Sequence, residues 1–158
     1  MISHWYTQPL TDGSKRRHVK SDPQKQYVYQ MERELMGNSI NQHMTLPDLR
    51  RVAKHCCRKW CVPQVIVKTI RKPKMHVFGW TTGRDVVLNT AFHGDNIGVL
   101  MHELAHWVTF HLYPDAIDHG GEFMDVYADL LAQYKILPRD CLLVLAARYG
   151  VEVGDEHV

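Results

Sequence analysis

The sequence predicts an α+β fold, a small sheet of about three strands packed against helices in one domain. Three observations lead there. The helical hydrophobic period governs both flanks of the chain, and a β-branched stretch between residues 64 and 89 interrupts it. The length, 158 residues, is enough for one core and too little for two ordinary ones.

Residues 1–22 are polar, contain Pro9, Gly13 and the basic run Lys15-Arg16-Arg17-His18-Val19-Lys20, and read as a loosely docked arm ahead of a domain over 23–158. A first helix is expected from about Pro23 to Met36, stopped at Gly37-Asn38. A second is expected from about Pro47 to Trp60, opened by the capping-box-like Thr45-Leu46-Pro47-Asp48 and followed by Pro63. Gln64 to Ile70 is rich in β-branched residues and reads as a strand. Met75 to Thr81 and Asp85 to Asn89 flank the turn signal Thr82-Gly83-Arg84 and should form a hairpin.

From Asn96 to Leu112 the helical period returns, with Ile97, Leu100, Met101, Leu104, Ala105, Val108 and Leu112 on one stripe. Tyr113-Pro114-Asp115 ends that helix. Another opens near Asp118 and carries Phe123, Val126, Tyr127, Leu130, Leu131 and Tyr134 at helical spacing. Pro138 starts a last helix, stopped by Gly150.

The chemistry concentrates on His102-Glu103-Leu104-Ala105-His106. Residues four apart lie one above the other on a helix, so both imidazoles can face one ion. Glu103 is offset by about 100°, where a general base for a metal-activated water belongs. On the helix wheel both His fall opposite the apolar stripe, facing whatever the next segment brings. A catalytic zinc of this type needs a third protein ligand and an open position. His111 lies nine residues after His102 and is turned about 180° away. His119 follows the break at Tyr113-Pro114 and is the expected third ligand, with Gly120-Gly121 expected to let the backbone pass close to the metal helix. Glu122 and Asp125 compete for that place, Glu122 the more seriously, because a Glu is the third ligand in another large class of such enzymes.

His102-Glu103-Leu104-Ala105-His106, a spacer of about a dozen residues and then His119-Gly120-x-x-Phe123 resemble the SprT-like (Spartan-type) zinc metallopeptidases, of the zincin superfamily, and Val86-Val87-Leu88-Asn89 is similar to the strand that precedes the metal helix there. The match covers about residues 85 to 131. The resemblance implies a zinc endopeptidase, with Zn²⁺ held by His102, His106 and His119 and with Glu103 as base. Many members carry a C-terminal zinc ribbon with paired Cys motifs, whereas this sequence has Cys141 alone in that region. Eukaryotic members cleave proteins crosslinked to DNA and recruit DNA through extra segments, none of which is recognisable in this sequence.

The expected reaction is hydrolysis of peptide bonds in protein substrates by a zinc-activated water, with Glu103 taking the proton. The alternative is a non-catalytic, zinc-stabilised regulatory or nucleic-acid-associated protein with a peptidase-like fold. Glu103 argues against it, since a purely structural zinc has no use for a base and usually has four protein ligands.

Composition bounds the rest. Hydrophobic residues make up 45% and charged residues 23%, the profile of a globular protein, and a net charge of +2 does not demand a polyanionic partner. Lys15 to Lys20 with Arg50, Arg51, Lys54, Arg58 and Lys59 allow at most weak DNA association. No secretory leader or membrane span is legible, so the expected compartment is the cytoplasm. Cys56, Cys57 and Cys61, with His55 or Cys141, would make a poor second zinc site and read better as small buried hydrophobes. Phe78 and Trp80 lie on a strand expected near the site, which in zincins generally can pair with an extended substrate. Tyr113 and Tyr127 are candidate donors to an oxyanion and equally core or loop tyrosines.

Overall fold

The computed structural model describes residues 21–37 and 42–154. Most of the predicted arm, including Lys15 to Lys20, lies outside the described residues, as does Asn38 of the predicted helix stop. The chain is α+β. In order it forms α1 (Lys25–Gly37), α2 (Leu46–Lys59), β1 (Ile66–Ile70), β2 (Gly79–Thr81), β3 (Asp85–Asn89), a 3₁₀ turn (Thr90–Phe92), α3 (Ile97–Leu112), α4 (Gly121–Gln133) and α5 (Arg139–Arg148).

The helix ends follow from local chemistry. At α2, Thr45 is the N-cap, with its hydroxyl oxygen 3.4 Å from the Asp48 N–H, while the hydroxyl itself donates to the Asp48 carboxylate at 2.8 Å. Asn96 caps α3 by accepting from the Val99 N–H at 2.9 Å. Gly150 closes α5 with φ +70°, a conformation natural to glycine.

The sheet is mixed, in the order β1-β3-β2. The predicted hairpin forms, β2 and β3 pairing antiparallel with Trp80 opposite Val87. The sequence carried no signal that β1 would pair with β3, and it does so in parallel, Val67 opposite Val86. β3 is therefore the central strand, and period two divides its side chains. Val86 and Leu88 enter the main core, while Val87 joins Val77 and Trp80 in a smaller cluster.

The second strand is shorter than predicted, three residues rather than Met75 to Thr81. Its lead-in wraps around Asn89 instead of pairing along β3. The buried Asn89 amide shares its two hydrogens among the carbonyls of Lys72, Met75 and Val77, and its oxygen accepts from the N–H groups of Lys72 and Ala91. One side chain thus satisfies backbone groups that a ladder would otherwise satisfy. Gly94 permits the crossing, since a Cβ there would stand 1.9 Å from the Phe78 carbonyl oxygen.

α3 is the central element. It packs against α4, α2, β2 and β3, and every residue from Ile97 to Thr109 is buried. The apolar stripe read from sequence is real, but the opposite face is covered too. Cys56 and Cys57 are buried in the same core and Cys61 and Cys141 are exposed, so the reading of the first two as small hydrophobes holds. Burial, with Cys57 beside it, pushes the Cys56 thiol up to about 12. Among the described residues no helix is long and apolar enough to cross a membrane.

Candidate metal centre

His102 and His106 stand one turn apart on α3, as their spacing dictates. Their Nε2 atoms are 3.1 Å apart. After α3, the chain turns twice, Ala116 N–H to Tyr113 carbonyl and Gly120 N–H to Ile117 carbonyl, and delivers His119 just ahead of α4. The His119 ring lies 4.7 Å from that of His106 and 5.4 Å from that of His102, centroid to centroid. One ligand nitrogen from each of the three falls within 4.8 Å of the others. All three rings are buried, and Phe123 packs against each of them.

These residues could hold a metal ion. The buried His119 Nε2 has no hydrogen-bond partner, a state that normally costs stability and that a bound cation would relieve. The 3.1 Å spacing of the other two nitrogens suits ligands that each lie about 2.0–2.1 Å from one ion. Three neutral imidazoles suit zinc and several other transition metals.

The rival ligands are elsewhere. His111 packs on Trp107 and Phe110. Glu122 is exposed, outside the histidine cluster. Asp125 is buried in an ion pair with Arg139, which also bonds Asp129 at 2.5 Å. Gly120 and Gly121 do not serve close passage of the metal helix. A Cβ on Gly120 would meet Ile117, and one on Gly121 would meet Gly154, whose N–H bonds the Gly121 carbonyl at 2.9 Å. They make room for the loop's own turn and for the C-terminal segment.

Glu103 is buried beside the cluster. Thr81, on β2, donates its hydroxyl to the Glu103 carboxylate at 2.7 Å and lies 3.1 Å from the Glu103 carbonyl oxygen. With one hydrogen to give, the hydroxyl serves the shorter contact to the charged acceptor. Burial pushes the Glu103 carboxyl up to about 7, against the lowering effect of His102 and Thr81. Burial also holds His106 well below its ordinary value, helped by His119 and His102, and holds His119 down despite Asp22. His102 goes the other way. Burial opposes its charge, but the Glu32 carboxylate outweighs burial and raises it.

Several residues of the site were not singled out from the sequence. Glu32 of α1 bonds His102 Nδ1, and Asp22 bonds His119 Nδ1 at 2.7 Å. Asp22 falls within the segment read as a loose arm, and here it is docked. Gln24 donates to the His119 carbonyl at 2.6 Å, and the Tyr29 ring stands edge-on to His119. A signal existed for Glu32, which occupies the helical apolar pattern Val28, Met31, Glu32, Leu35, where a charge has no ordinary reason to be. Thr81 and Asp22 have no such mark.

Of the tyrosines, Tyr127 is core, against Phe123 and His102, and Tyr113 lines a cavity of about 570 Å³ with Gly120 and Glu122. Trp80 packs in the small cluster on the sheet, apart from Phe78, which joins the main core. His55 bonds the Tyr134 hydroxyl at 2.8 Å, and the only His, Cys, Asp and Glu cluster suited to a metal among the described residues is His102, His106 and His119.

No family model, curated protein or solved structure matches the chain.

Proposed function

We propose that the chain is a zinc-dependent metallopeptidase of the SprT-like zincin type, acting on protein or peptide substrates. One observation carries the reading: two imidazoles of α3 and one from the turn ahead of α4 converge, with the buried Glu103 carboxylate close enough to His102 to feel its charge. A site that only pinned helices would gain nothing from a buried carboxylate that is not itself a ligand.

His102, His106 and His119 would hold the ion. Zinc bound there supplies Lewis acidity and a water that ionises near neutral pH. Glu103 would serve as the base for such a water and as the proton donor to the leaving amine. Thr81 holds the carboxylate in place and favours its charged form against burial. The low-polarity walls formed by Phe123 and the buried helix strengthen every charge interaction at the centre.

The exposed basic face of α2, with Arg50, Arg51, Lys54, Arg58 and Lys59, is where weak DNA association would occur. A second reading has its own support. His102, Glu103 and His119 are at most 1% exposed, which also suits a non-catalytic ion that joins α3 to the start of α4. The test is Glu103→Gln in an assay of casein cleavage, run with and without DNA. The peptidase reading expects the variant to keep its metal and to lose about 10²–10⁴-fold in rate. A zinc-loaded parent with no cleavage under either condition supports the second reading.

A further inference from the structure

We infer that Asp22 and Glu32 are positioning residues that fix the ligand form of two of the three histidines, so that α1 and the residues just before it, as much as the metal helix, set metal retention. This rests on the metal reading of the three-histidine cluster.

The argument starts from imidazole chemistry. A neutral histidine carries one proton shared between two nitrogens, and only the bare nitrogen can ligate. A carboxylate on Nδ1 holds the proton there and leaves Nε2 bare. Glu32 does this to His102 and Asp22 does it to His119, and in each ring the nitrogen left over is the one turned into the cluster.

A packing role does not account for the placement of Glu32. Both side chains of the Glu32–His102 pair are fully buried, and the carboxylate replaces what the pattern Val28, Met31, Leu35 would fill with an aliphatic group. An apolar residue there would spare the desolvation of a charge. The second carboxylate comes from the other end of the same segment, ten residues earlier in the chain. Around it Gln24 grips the same loop, donating to the carbonyls of His119 and Glu152 and accepting from the Glu152 N–H. One short stretch therefore bonds the ring of one ligand, the ring and the carbonyl of another, and the C-terminal segment that closes on Gly121.

The test compares the full-length parent with Glu32→Gln, Asp22→Asn and the double variant. Zinc affinity is read by competition with a chromogenic chelator, and the visible spectrum of the cobalt-substituted protein reports coordination geometry. The amide variants keep size and lose the fixed acceptor charge. Each single variant is expected to lose about 10–100-fold in zinc affinity, and the double variant more, with altered cobalt bands. Glu32→Asp is expected to recover part of the loss, which a variant that merely disturbed packing would not show. If Glu32→Gln does not fold, Asp22→Asn decides, because Asp22 is partly exposed and outside the core. Parent-like affinity and spectra in both single variants overturn the inference while leaving the metal site intact. A parent that binds no zinc overturns the metal reading and this inference together.

Discussion

Replacing Thr81 by Val removes one hydroxyl and almost nothing else, since the two side chains have nearly the same shape. Thr81 is buried, and its hydroxyl donates to the Glu103 carboxylate at 2.7 Å. A hydrogen bond to a charged group contributes about 1.5–3 kcal/mol. It stabilises the ionised carboxylate, and 1.36 kcal/mol corresponds to about one pK unit. The sign follows: without the hydroxyl the charged form is less favoured, so the Glu103 carboxyl rises by about 1–2 units. In the metal-free protein burial already places it at about 7, and a bound cation lowers it, so the expectation is a difference between variant and parent. The assay is the pH dependence of kcat/KM for casein or a peptide. The acid limb should move up by about 1–2 units, and at any pH below both limbs the variant should be about 10–100-fold slower. The plateau at higher pH should be recovered. An acid limb that stays in place, with a lowered plateau, would refute the reasoning and reduce Thr81 to a packing residue.

Three other outcomes follow from the same geometry. His119→Ala should lose zinc affinity and activity together, whereas Glu122→Ala and His111→Ala should keep the metal. Release of the metal by Glu122→Ala with retention by His119→Ala would place the protein in the Glu-ligated class. Apparent zinc affinity should fall as pH falls, beginning above the ordinary imidazole range, because Glu32 raises His102 and a proton there competes with the ion; burial keeps His106 and His119 neutral, and Glu103, at about 7 without metal and lowered by a bound cation, adds a second linked proton, so a slope between one and two protons per ion is expected in chelator competition. Asn89→Ala should destabilise the fold by about 2–4 kcal/mol, since backbone groups of Lys72, Met75 and Val77 lose their partner and only some can rehydrate. Urea unfolding with a midpoint shift worth under about 1 kcal/mol would contradict the role given to that side chain.

What the sequence determined by itself was local. The pitch of a helix brings His102 and His106 to one face whatever else the chain does. It also turns His111 away, and the structure finds it against Trp107. The caps at Thr45 and Asn96 and the stop at Gly150 act within a few residues, and they were legible or nearly so. The Thr82-Gly83-Arg84 turn put β2 and β3 side by side for the same reason.

Only tertiary structure decided the rest. His119, Glu122 and Asp125 were all chemically able to join His102 and His106, and which of them does so depended on the path of the loop and on Arg139 capturing Asp125. The parallel pairing of β1 with β3 has no local signature, and the late start of β2 came from a single buried amide. Burial of α3 on all sides, its polar His102, Glu103 and His106 included, required α4, α2 and the sheet to close around it. Glu32 and Asp22 reach His102 and His119, 70 and 97 residues away in the chain. Contacts at such separations are set by how whole elements pack, because the interior is dense and each side chain must fit the neighbours that the fold supplies. No periodicity within either segment encodes them.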